Sequence, residues 1–108
     1  MEIVLSQESD GGDVRTVWAR TASDGSLAIG GQDIGSGVEN IFRCREYEWA
    51  ITIAADDVPA AAYALETRPG EDVLDALQRR WGGNQVRRMH ARLKDRGVSF
   101  GFWSRIGD

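Results

Sequence analysis

Among side chains able to do chemistry, the sequence has one histidine, His90, and one cysteine, Cys44, which stands between Arg43 and Arg45. Neighbouring guanidinium groups lower a thiol's pKa, and a thiolate paired with an imidazole is a nucleophile with its base. The residues around Cys44 match no cysteine-protease signature. Cys44 therefore reads as a small residue at a strand entry, and His90 as a partly buried structural imidazole bordering a helix stripe. One His and one Cys provide no recognisable metal-ligand spacing. The carboxylate pairs Asp56/Asp57 and Glu71/Asp72 each precede an amphipathic stretch, where an acid satisfies orphan N–H groups and complements the helix dipole. Asp10-Gly11-Gly12-Asp13 lacks the ligand series of a calcium loop and reads as a hairpin turn. The glycine-rich run 30–37 matches neither phosphate-binding fingerprint and holds no basic residue, so it reads as a loop needing unusual backbone angles. No metal and no cofactor is expected. A binding protein is the first reading, and a Cys44/His90 enzyme the minor one.

Charge is distributed unevenly. The 108 residues carry a net −4, but residues 1–75 hold 15 acidic and 5 basic side chains, whereas 76–108 hold 2 and 8. Such asymmetry points to charged partners. Two sets of residues follow. Asp33, Glu39, Glu46 and Glu48 are the acids expected on a solvent face that meets a basic protein. Arg79, Arg80, Arg87, Arg88, Arg92 and Lys94, on consecutive helices within 71–96, are the alternative: a patch able to contact nucleic-acid phosphates. No recognition motif or interleaved aromatic residue accompanies that patch.

The elements that must position these groups are legible from periodicity. Alternation predicts strands over 1–7, 14–21 and 27–32, with the Asp24-Gly25 pair as a hairpin signal and Gly30-Gly31 ending or bending the third. Residues 32–45 read as irregular, with a helical turn at Val38, Ile41 and Phe42. The clearest strand is 46–53, where Tyr47, Trp49, Ile51 and Ile53 share one face and Glu46, Glu48, Ala50 and Thr52 the other. From Val58 the period becomes 3.6. Asp56 or Asp57 caps a first helix that Arg68-Pro69-Gly70 breaks. Glu71 and Asp72 open a second that Gly82 stops, and Asn84 caps a third that Gly97 ends. Val98, Phe100 and Phe102 alternate, so the tail forms a last extended segment. Strands first and helices afterwards imply one α+β domain over 1–108, an antiparallel meander of four to five strands with about three helices packed on one face. Tyr47, Trp49, Ile51, Ile53, Leu65, Leu74, Leu77, Trp81, Met89 and Leu93 are the expected core.

Gly31-Gln32-Asp33-Ile34-Gly35, Glu46-Tyr47-Glu48-Trp49 and Asp56-Asp57-Val58-Pro59 together resemble a family of small uncharacterised bacterial proteins common in actinobacteria, across most of the chain. That resemblance implies no established activity. In size and strand–helix order the chain is also similar to toxin-immunity proteins, an analogy at the level of architecture.

The partner expected is therefore another protein, basic in character, for an immunity-like or accessory role. A homodimer through the aromatic tail 100–103 is a separate expectation. The short apolar runs predict no membrane span, and the absence of a second cysteine, together with an acidic start unlike a signal peptide, suits the cytoplasm.

Overall fold

The computed structural model describes residues 1–35 and 46–107. Five antiparallel strands follow one another in the sheet in sequence order: β1 (Glu2–Asp10), β2 (Asp13–Thr21), β3 (Leu27–Ile34), β4 (Glu46–Ile53) and β5 (Gly101–Gly107). Between β4 and β5 come α1 (Val58–Ala64), α2 (Val73–Arg80) and α3 (Met89–Asp95), with short 3-10 segments at Ala55–Asp57 and Gly83–Arg88. This is the α+β meander that the periodicity predicts. The helical turn expected at Val38, Ile41 and Phe42 lies outside the described residues, as do Glu39 and Cys44.

The turn signals act as their chemistry requires. In the β2–β3 hairpin the Asp24 carboxylate accepts hydrogen bonds from the Ser26 N–H at 2.9 Å and from its hydroxyl, and Gly25 takes φ 89°. Register then assigns faces. Ile3, Ala19, Ile29, Ile51 and Phe102 form one cross-strand row, and Thr21, Leu27 and Ile53 continue that face. The opposite face carries the row Val4, Trp18, Gly30, Ala50 and Trp103.

The expected break at Gly30-Gly31 does not occur. β3 runs through both glycines to Ile34, so residues 32–34 are strand rather than loop, and among the described residues 30–35 positive φ appears only at Gly35. The glycines are there for space. The Trp18 ring lies over Gly30 on the open face, and the Trp49 ring lies over Gly31 on the helix face.

The helices lie against the first of these faces. Asp72 caps α2 by accepting from the Leu74 N–H at 2.9 Å. Asp57 stands at the N-cap of α1 but makes no side-chain cap bond, so the capping expected of Asp56/Asp57 is absent; Pro59 provides the preset first turn instead. Asn84 falls inside the 3-10 segment and caps nothing. Helix α1 stops before Arg68-Pro69-Gly70, because Glu66 turns left-handed at φ 65° and the Thr67 N–H reaches back to the Ala62 carbonyl. Gly97 ends α3 in the same manner at φ 69°.

One contiguous cluster fills the space between sheet and helices, with Trp81, Leu27, Ile29, Ile51, Ile53, Leu65, Leu74, Leu77, Met89 and Leu93 fully buried. Two members of the expected core differ. Tyr47 and Trp49 are only half-buried, because they stand toward the end of β4 that the helices do not cover. Among the described residues no helix is long and apolar enough to cross a membrane.

A test follows from the two glycines. Neither has positive φ, so alanine suits the backbone and gains about 0.4–1 kcal/mol through the unfolded chain. Gly30→Ala displaces the Trp18 ring outward and is expected to be near neutral in urea denaturation. Gly31→Ala drives Trp49 against the core and should cost about 1–3 kcal/mol. Equal effects of the two substitutions would show that Trp49 is not held by the core.

Candidate functional site

Where the helices stop short, the sheet's helix-bearing face shows a charged row. Register sets Glu8, Arg15, Asp33 and Tyr47 side by side on β1 to β4. Above them Arg87, from the 3-10 segment, reaches Glu8 at 3.5 Å. Together with Trp49, Ile51, Val86, Met89 and Phe102 they line a half-open cleft of about 340 Å³. One end is therefore aromatic and aliphatic and the other ionic, the composition of a site that orients an amphiphilic group. Burial pushes the Asp33 carboxyl up, against the opposing pull of Arg15 and Arg87. His90 is exposed at the rim rather than partly buried. Its ring stacks on Phe102 at 5.2 Å and meets Phe100 edge-on at 5.3 Å.

The acids grouped by sequence are divided by the sheet. Asp33 faces the cleft, whereas Glu46 and Glu48 lie on the open face. The Gln32 side-chain amide donates to Glu46 at 2.6 Å and to Glu48 at 3.4 Å, and Arg105 donates to Glu48 at 3.4 Å. A proton taken up by Glu48 is shared with Glu46, which raises the Glu48 carboxyl and lowers that of Glu46. They form a polar knot beside β5 rather than a free acidic surface. Glu39 lies outside the described residues.

Four of the six basic residues are likewise partnered. Glu66 binds Arg80 at 2.7 Å and Arg92 at 3.7 Å, and its carbonyl accepts from Arg79 at 2.9 Å. Arg79 also forms a two-pronged pair with Glu71. Arg80 and Arg92 further lie over the Trp81 ring, 4.5 and 5.4 Å from its centre. Arg79, Arg80 and Arg92 are thus gathered at the α1–α2 junction, while Arg87 is held away from them at the cleft by Glu8. Arg88 and Lys94 are exposed. The six do not form one uncompensated patch.

The aromatic tail, expected as a last extended segment able to self-associate, stands at the edge of the sheet as β5, a position that sequence reasoning did not assign. This strand pairs with β4 alone among the described strands, and residues 101–106 are all exposed. Phe102, Trp103 and Ile106 keep 50, 48 and 52% of their surface in solvent. The edge has no proline, no lysine and no bulge, and its one charged side chain, Arg105, is drawn toward Glu48 on the neighbouring strand. The opposite edge is managed. β1 is bulged between Val4 and Ser6, carries Glu2 and Glu8, and is approached by Gly82 and Arg87. The alternation of Val98, Phe100 and Phe102 was the available signal, but pairing of this tail at the sheet margin is not a local property.

The chain matches no family model, no curated protein and no solved structure.

The Glu71–Arg79 pair predicts an acid response. Two bonds from Arg79 and one from the Arg68 N–H hold the Glu71 carboxyl at about 2, below its usual 4.5. A depressed folded pKa contributes stability above 4.5 that is lost as pH falls toward 2. Urea unfolding of Glu71→Gln should therefore show a shallower fall in stability across that window than the unaltered chain. Parallel curves would show that Glu71 is as free in the folded protein as in the unfolded one.

Proposed function

We propose that this chain is a binding domain, not a catalyst, and that it takes another protein strand at the edge of β5. The observation that carries the reading is the seven-residue edge without proline or bulge on which Phe102, Trp103 and Ile106 are each about half-exposed. An edge of this kind offers unpaired N–H and C=O groups along its length, and alternate side chains provide contacts on both faces. The apolar residues of β5 contribute to both: Phe102 and Ile106 on the helix-bearing side, Trp103 on the open side.

An immunity-like or accessory role in the cytoplasm belongs to the same reading. The acid excess of residues 1–75 draws a basic protein toward the sheet, and electrostatic steering chiefly raises the rate of encounter. The strand edge then provides the contact.

A photo-crosslinking phenylalanine analogue at position 103, with position 75 on the exposed side of α2 as control, tests the reading in lysate of the source cells. Protein adducts should form at 103, be lost with Ile106→Lys, and be absent at 75. If position 103 forms no adduct with any protein, the chain itself included, the edge is not a docking surface.

A further inference from the structure

Given the reading of β5 as a docking edge, on which this inference rests, the strand's own sequence selects an occupant. We infer that the chain forms a two-fold dimer by antiparallel pairing of β5 with β5 of a second copy, with Ser104 on the axis.

In that pairing residues equally distant from Ser104 stand opposite one another. Phe102 faces the second copy's Ile106 on the helix-bearing side, an aromatic–aliphatic pair. Trp103 faces the second copy's Arg105 on the open side, where a guanidinium meets an indole ring. Symmetry makes each contact twice, so all three half-exposed apolar side chains of β5 are partnered at once. Arg105 is already drawn toward Glu48 at 3.4 Å and keeps much of its side chain in solvent, so it can bridge that acid and the incoming ring.

Other registers lose this match. A slip of two residues one way opposes Arg105 to Arg105. The other way opposes Trp103 to itself and sets Arg105 against Gly101. A slip of one residue would turn the helices of the two copies to opposite faces of the sheet. Of these registers, only pairing about Ser104 keeps the helices on one side, sets no like charges opposite and still partners Phe102, Trp103 and Ile106 within β5.

The dimer extends the sheet from five strands to ten and leaves the bulged β1 edges outermost. Such an isologous contact closes on itself, so it blunts the edge without propagating into a fibre. A contact built on one seven-residue strand pair is short beside the interfaces of stable dimers, so the dimer is expected to dissociate on dilution.

The test is disulfide trapping in a Cys44→Ser background, with Ser104→Cys, Trp103→Cys and Arg105→Cys compared under mild oxidation. Facing residues in an antiparallel pair have Cα atoms about 4.5–5.5 Å apart, within disulfide range, whereas two copies of residue 103 or of 105 stand beyond about 7 Å. Ser104→Cys is therefore expected to cross-link at least tenfold faster than the other two. Sedimentation velocity on the unaltered chain should show a concentration-dependent dimer. Trp103→Arg, which sets Arg against Arg105, should weaken it at least tenfold, and Trp103→Arg combined with Arg105→Trp should restore it. A monomer at all concentrations, fastest cross-linking at 103 or 105, or equal cross-linking at all three positions overturns the dimer. Adducts from position 103 to other proteins but never to the chain itself would overturn it too, while leaving the docking edge intact.

Discussion

The indole N–H of Trp81 donates to the Leu65 carbonyl at 2.8 Å inside the core, and the arrangement of the three helices depends on that bond. Trp81 follows α2, and Leu65 follows α1, so one buried bond ties the ends of two short helices. The ring is 1% exposed, and removing a buried tryptophan typically costs about 3–5 kcal/mol. Arg92 from α3 lies over the same ring and donates to the Ala64 carbonyl at 3.4 Å, which adds the third helix. Glu66 holds Arg80 and Arg92 there from a left-handed backbone position that glycine would occupy more easily. The αL strain at Glu66 accompanies a carboxylate that glycine could not provide.

Helices of seven and eight residues have little stability of their own and are held by packing. They are also too short to cover the whole face of a five-stranded sheet whose strands run to nine residues. Coverage is complete over Leu27, Ile29, Ile51 and Ile53 and fails toward Tyr47 and Trp49. The cleft arises from this mismatch: aromatic side chains that begin a core row are left with one side open, next to the ion row of Glu8, Arg15 and Asp33. The same shortfall leaves Phe102 stacked on the exposed His90, whose ring Phe100 meets edge-on.

Charge segregation along the chain becomes charge pairing in space. The acids of residues 66 and 71 meet the basic helices that follow them, and Glu8 of β1 meets Arg87. Exposed pairs of this kind contribute little to stability, but they reduce the charge available to a polyanion. Glu46 and Glu48 are drawn into contacts with Gln32 and Arg105, so the acid excess is less free than composition suggests.

Local pattern was enough to determine the α+β class, the order of strands and helices, the hairpin at Asp24-Gly25 and most of the core. Periods of 2 and 3.6 are properties of neighbouring residues, and so are caps such as Asp72. It failed at Gly30-Gly31, where glycine signals a turn unless a ring from another strand needs the space, as Trp18 and Trp49 do. It failed again in grouping Asp33 with Glu46 and Glu48, because the faces of β3 and β4 are related through pairing register rather than through distance along the chain. Which strands lie at the edges, which edge stays open, and which cation meets which carboxylate depend on contacts between residues far apart in sequence. Only the tertiary structure decides these, since each such contact is made by two segments whose local patterns carry no information about one another.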